Sequence, residues 1–399
     1  MTKAAIEQDP DLLLEPLPLS HASIFDAIRS EGHVQWAPHL RAWLATGHAE
    51  AAKLIRHPTA REVSNTELWR KLDGIAGINS DAVLKTLRYF PFWLSGADHK
   101  RMHEATNDIA KRLFAEIESL ASRVAQTRVA EAARRGGLDL ARDFANTLYT
   151  ESLFQVLDID PDKREALRNA RELSAIFEIP KTIEKYRQLS RVLADNHEIL
   201  AHHVQRCLQS EAPTLIRLLA AITPVAEGDS QVDAIARTLA ILIAAGSDTI
   251  AGAIAYGVYE LLSESGCNID QKAWPEVSDD VIRHVSPVVA VRRRFTDDIE
   301  IGGVHIRRGE HVVFALVAAN HDMALCGPDP HKIGKRACGI GLSFGTSAHV
   351  CVGLRIGRSL VHSALSALAD APRLKLCGQP LARNSASVRA CETMPMEFV

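Results

Sequence analysis

A mainly α fold with small β elements at its edge is predicted for this 399-residue chain. Three observations predict it. Apolar residues recur at intervals of three and four through most of the stretch from Asp98 to Glu211, the period of helices that bury one face. The run Leu239 to Val258 is apolar on nearly all sides, as in a helix through the middle of a core. The composition, 47% hydrophobic but only 5% aromatic and rich in Ala, Leu, Ile and Val, favours helix over sheet. With 24% charged residues, disorder, collagen and small disulfide scaffolds are excluded.

In chain order, a proline-bearing lead opens MTKAAIEQDPDLLLEPLPLSHASIF, with no charged start and apolar run. No signal peptide or N-terminal anchor is expected, and the protein is placed in the cytoplasm. Alternations at His33-Val34-Gln35-Trp36 and Arg41-Ala42-Trp43-Leu44 predict a small sheet. Helices follow over His103 to Val129 and Thr147 to Val156, with Arg134-Arg135-Gly136-Gly137 as the stop between them. Pro161 to Val204 is helical and strongly charged, broken at Ile179-Pro180. Asp279 to Val285 predicts a short helix, and Ile299 to Ile306 a hairpin turning at Gly302-Gly303. Asn320 to Ser343 is an irregular loop, Leu354 to Leu368 a helix, and the last thirty residues short strands and turns.

Length alone allows two or three domains, but no repeat, low-complexity tract or linker divides the chain. One domain over residues 1–399 is expected. The 46 basic and 49 acidic residues, net −3, give no global attraction to nucleic acid or an anionic membrane, and a monomer is expected. Leu239 to Val258 is long enough to cross a bilayer, but Ser247-Asp248-Thr249 stands at its centre. An acid there costs about 2.5–3.5 kcal/mol on insertion, so a buried helix fits better.

Seven cysteines, at 207, 267, 326, 338, 351, 377 and 391, make an odd set with no C-x-x-C pair or zinc spacing. Cys351 ends the loop Phe344-Gly345-Thr346-Ser347-Ala348-His349-Val350-Cys351-Val352-Gly353, just before a helix. Backbone N–H groups and the helix dipole at such a place favour a thiolate able to bind soft metal or haem iron. Gly345 and Gly353 permit close approach of a flat cofactor, and His349 can offer a nitrogen to an anion. The alternatives are a small buried hydrophobe or a catalytic Cys–His pair, for which His349 is too near in sequence. Gly339-Ile340-Gly341 does not complete a dinucleotide fingerprint, which argues against nicotinamide or flavin binding.

This loop resembles the haem-binding segment of the cytochrome P450 family, F-G-x-G-x-H-x-C-x-G, with Ser347 at the second glycine. Three further segments are similar to family motifs in order and spacing, from about residue 95 to the C-terminus. Ala244-Ala245-Gly246-Ser247-Asp248-Thr249 resembles A-G-x-D-T of the long central helix. The likeness implies that Thr249 bonds dioxygen and that Asp248 relays protons, as heterolytic O–O cleavage with a thiolate opposite requires. Asp280 and Arg283, one turn apart, resemble the E-x-x-R pair with the acid one methylene shorter, and Arg292 stands at the propionate cation. Arg293 and Arg294 blur that last choice. Gly96 to His103 resembles H-x-R-x-R, with His99 and His103 toward propionates; His103 replaces an arginine and holds an anion less firmly at high pH. Taken singly, each pair could be no more than a solvated helix face. Ala318-Ala319-Asn320-His321-Asp322 and Pro328-Asp329-Pro330 are weaker echoes, and His331-Lys332-Ile333 departs from the family's Arg-Phe-Asp.

The resemblance implies a helical domain with haem b between the central helix and the helix after the cysteine loop, and Cys351 as axial ligand. It implies a monooxygenase; oxidative coupling, desaturation and a non-turnover haem protein are the alternatives. No reductase segment is seen before Val399, so a separate ferredoxin or flavodoxin is expected to dock near Cys351, where Arg355 and Arg358 supply positive charge. The family's pocket positions fall on Ile241, Ala244, Ala245 and Val288, all apolar, and a lid from Val63 to Leu94 contains Trp69 and Trp93. A hydrophobic terpenoid, polycyclic or aromatic substrate is expected.

Overall fold

The two alternations near the N-terminus pair as an antiparallel hairpin, β1 (Val34–Ala37) with β2 (Ala42–Ala45), Trp36 opposite Trp43. The hairpin joins β3 (Ala60–Glu62), β4 (Ala290–Phe295) and β5 (His311–Ala315) in the order β1-β2-β5-β4-β3. β2 and β5 run parallel; the other neighbours are antiparallel. Phe295 and Phe314 are fully buried in the core on this sheet, with Leu54, Leu316 and Leu342 around them. The register that fills this core sets Glu62 opposite Arg293.

The computed structural model describes residues 24–168, 172, 176, 182–211, 214–263, 269–334 and 338–399. The proline-bearing lead through Ala22, the Ile179-Pro180 break and Cys267 lie outside the described residues. The described chain falls into two compact units. The first comprises the described residues up to Val63, with Ala121–Leu148 and Thr249–Val399; the second comprises Ser64–Leu120 and Tyr149–Asp248.

Five helices carry or adjoin the residues singled out in the sequence: α1 (Gly96–Arg135), α2 (Ile183–Gln209), α3 (Gln231–Leu262), α4 (Ser278–Val285) and α5 (Leu354–Ala369). α1 ends where Gly136, at φ 82°, takes the left-handed conformation that stops a helix. In the second unit, α2 buries Tyr186, Leu189, Leu193, Leu200 and Val204 at the predicted spacing, capped by Thr182, whose hydroxyl accepts from Lys185 N–H at 3.2 Å. α3 contains the whole Leu239 to Val258 run and is a mostly buried core helix, although its length and apolarity would suit a membrane.

The lid region is more helical than its sequence suggests, with helices over Thr66–Ala76 and Asp81–Leu87. Trp69 is buried edge-on against Tyr186, ring centroids 4.7 Å apart, where its large apolar surface serves the core. Trp93 is buried as well. The hairpin at Ile299 to Ile306 is present, with Gly302 and Gly303 at φ 56° and 79°, as a tight primed turn requires.

A row of histidines crosses the first unit. His321 Nδ1–H donates to Val317 O at 2.7 Å, so its Nε2 accepts from His284 Nδ1–H at 3.2 Å. His284 Nε2 faces Glu260 at 3.6 Å, with Arg283 and Arg389 nearby, and the His331 ring stacks on His321 while pairing with Asp26. Burial holds both His284 and His321 below the usual histidine value, and the Arg283 charge adds to this. His311 is pushed down to about 4 by burial and by Arg292 and Arg294. Such groups leave stability intact above the unfolded value of about 6.5 and remove it as pH falls toward the depressed folded values, because only the unfolded chain takes up protons in that window. The urea midpoint is therefore expected to drop between about pH 7 and pH 5, less steeply in His321→Gln. A midpoint that does not change with pH would contradict this.

Candidate functional site

The cysteine loop belongs to the first unit. Gly345 N–H donates to Leu342 O and Cys351 N–H to Phe344 O, each at 2.9 Å, so the loop closes on itself before α5 begins. Gly345 sits at φ 70°, and a Cβ there would stand 3.2 Å from His349 O. A Cβ on Gly357 would stand 3.1 Å from the Phe344 ring, which packs into the gap. Cys351 is exposed on one side, yet the protein packed around its sulfur pushes the thiol pKa up, while Gly353 N–H pulls it down. The expectation of a thiolate favoured by backbone donors is thus met by only one such bond.

Ser347 adopts φ 64°, the conformation for which the family's glycine is suited. An L-residue there costs roughly 1–2 kcal/mol. Ser347→Gly is expected to raise stability by about 1 kcal/mol in urea unfolding, and a loss of stability would refute the strain.

Asp280 and Arg283 form a buried pair rather than a solvated one. Arg283 Nε donates to Asp280 Oδ1 at 2.5 Å, and Gly334 N–H donates to Oδ2 at 2.8 Å. The missing methylene is met by this approach of the loop backbone. Arg283 Nη1 donates to Asn320 O at 2.6 Å. Asn320 then accepts from Leu342 N–H at 2.7 Å and donates to Ser343 Oγ at 2.9 Å, which ties α4 to the base of the cysteine loop. Asn320 was only a weak echo in sequence; its buried side chain is the node of this network.

The neighbouring cations divide by strand parity. Arg293 faces Glu62 at 3.6 Å, and Glu62 accepts from His349 Nε2 at 2.5 Å, so both carry an internal acid. Arg292, on the opposite face, has a buried Nε with no hydrogen-bond partner among the described residues. Burial lowers its pKa. Arg358 does not supply free positive charge: Asp279 binds it through Nε at 2.8 Å and Nη2 at 2.5 Å and offsets its charge. Val288 packs against the sheet core and bridges to Val388.

In the second unit, His99 is buried and His103 half-buried on one face of α1, ring centroids 5.2 Å apart. Asp248 on α3, the last residue of this unit, is 1% exposed; Thr249, which begins the next segment of the first unit, is half-buried. Gly246 is needed because a Cβ there would stand 2.4 Å from the Tyr149 ring, whose hydroxyl donates to Leu242 O at 2.8 Å. Tyr149 carried no sequence signal beyond a helical apolar position. A small, partly open apolar pocket is lined by Thr86, Leu87, Phe90, Ile176, Leu193, Ala240, Ile241 and Ala244. Of the pocket positions that the resemblance implies, Ile241 and Ala244 are among these lining residues and Ala245 is not. Thr86 turns its hydroxyl to Ala82 O at 2.8 Å and accepts from Arg237 at 3.3 Å, so the wall is apolar.

A helical chain with small sheets, a cysteine on a glycine-bearing loop before a helix, and an acid buried in a central apolar helix define a haem-thiolate class of oxygenase. No family model matches the chain. It is 27% identical to the steroid C26-monooxygenase of Mycolicibacterium smegmatis over 67% of this chain and 62% of that protein. It is 22% identical to cytochrome P450 109 of Bacillus spizizenii over 94% of this chain and 88% of that one. Among solved structures it is similar to P450BioI in complex with an acyl carrier protein carrying hexadec-9Z-enoic acid, with TM-score 0.82 and 20% identity over 95% of this chain and 98% of that chain. The chain belongs to the cytochrome P450 family and is a P450 monooxygenase with haem b as its cofactor. The residues present fit that group: Cys351 is an exposed cysteine on a loop that turns through left-handed Gly345, and Arg292 offers a buried Nε that no acceptor among the described residues meets.

Proposed function

We propose that this monooxygenase inserts one oxygen atom from dioxygen into an uncharged hydrophobic small molecule of terpenoid, polycyclic or aromatic type. The apolar wall around Ile241 and Ala244 supports this reading, because it offers shape and area but no charge or hydrogen bond to hold a polar group. The steroid and linalool monooxygenases among its relatives are named for substrates of that kind.

Haem, when bound, supplies the iron at which dioxygen is activated. Cys351 holds that iron from the loop, Phe344, Gly345 and Gly353 shape the cradle, and Arg292, His99 and His103 meet the propionates. His349 serves them as well only by sharing its proton with Glu62. Asp248 and Thr249 would hold protons and pass them toward bound dioxygen. Electrons come from a separate ferredoxin or flavodoxin that docks beside Arg355. The chain acts as a single cytoplasmic catalytic domain over residues 1–399 and as a monomer.

The test compares ligand pairs that differ only in a carboxylate, read by the Soret shift of the ferric protein. Products are then analysed with a surrogate ferredoxin system. The uncharged member is expected to bind at least about tenfold more tightly, a difference of about 1.4 kcal/mol, and to give a product one oxygen heavier. Preference for the carboxylate would overturn the substrate class.

A further inference from the structure

We propose that Cys326 and Cys338 form a reversible dithiol–disulfide site that fixes the segment before the haem-cysteine loop. Both are half-buried thiols, within hydrogen-bonding reach of one another. The pair is not an isolated contact. Cys326 Sγ–H donates to Asn320 O at 3.5 Å, the same carbonyl that accepts from Arg283 Nη1 at 2.6 Å. Both sulfurs act on the Arg283 guanidinium, whose Nη2 is buried without a hydrogen-bond partner among the described residues.

An arginine beside two thiols stabilises whichever sulfur carries negative charge, the feature that distinguishes reactive cysteines from inert buried ones. Within the pair, it is Cys326 whose S–H is held by Asn320 O, and burial pushes its thiol up to about 12 despite Arg283. The roles divide accordingly. Cys338 attacks a peroxide, the O–O bond breaks, and the sulfur is oxidised to sulfenic acid as one water or alcohol leaves. The Cys326 sulfur then attacks Cys338, the S–S bond forms, and the sulfenic oxygen leaves as water with the Cys326 proton. Two thiols and one peroxide thus give one disulfide, and a dithiol reductant returns both protons and electrons.

Oxidation removes the S–H donor from Asn320 O and ties residues 326 and 338 together, while Arg283 remains on the carbonyl. Asn320 also holds Leu342 and Ser343, so the constraint reaches the base of the loop that presents Cys351. Nothing in the oxygenase chemistry requires this pair.

The test treats the holoprotein with the thiol oxidant diamide, blocks remaining thiols with an alkylating agent and maps the peptides. A linked Cys326–Cys338 peptide that dithiothreitol dissolves is expected to account for most of both cysteines. The thermal midpoint is expected to rise on oxidation in the wild type and to stay unchanged in Cys338→Ala, whose reduced form keeps the Soret spectrum of the wild type. Recovery of both cysteines in alkylated form after diamide, or oxidation that links either of them mainly to another cysteine, would overturn the proposal.

Discussion

Asp280→Ala is expected to destabilise the protein by about 3–5 kcal/mol, the usual result of removing one partner from a buried ion pair. Arg283 is 0% exposed, so its charge would remain in the core with Asn320 O as its acceptor among the described residues. The loss also releases Gly334 N–H, and with it the loop that Asp280 draws toward α4. Asp280→Glu restores the family's longer acid but must fit it into a space closed by the Gly334 backbone. Its expected cost is smaller, about 1–3 kcal/mol. Urea unfolding of the holoprotein measures both. A loss below about 1 kcal/mol for the alanine variant, the range of solvated pairs, would mean that the pair does not carry the load assigned to it.

Asp248→Asn is expected to lower product formation by about 10²-fold or more, the usual contribution of a positioned acid–base group. The substitution preserves size in a helix where the side chain is 1% exposed, so packing should survive. Haem content and the ligand-induced Soret shift should match the wild type, and the solvent isotope effect on turnover should grow as proton delivery becomes limiting. Unchanged turnover would remove Asp248 from the proton path. A lost Soret shift would assign it to structure instead.

Much of the site was legible because its chemistry is carried by contiguous residues. The cysteine loop, the buried helix and the Asp280–Arg283 pair are each one continuous stretch of twenty residues or fewer, and glycine placement or apolar periodicity put each on a loop or helix that the structure shows. What sequence could not show depends on contacts across long separations. Glu62 meets Arg293 and His349 only because β3 pairs with β4 in one register, which an isolated three-residue strand does not announce. Arg358 looked like free charge until Asp279 came within hydrogen-bond distance. Nor could sequence show that Trp69 packs edge-on against Tyr186, more than a hundred residues away, or that Trp93 is buried as well. The left-handed backbone at Ser347 was visible only as a departure from a motif; the structure gives it a physical consequence.

The carbonyl spectrum of the reduced protein tests most directly whether Cys351 binds the haem iron as thiolate. The wild type should show the red-shifted Soret band of thiolate ligation, and Cys351→Ser should lose that band even where haem is retained. Survival of the thiolate-type band in Cys351→Ser would contradict the assignment.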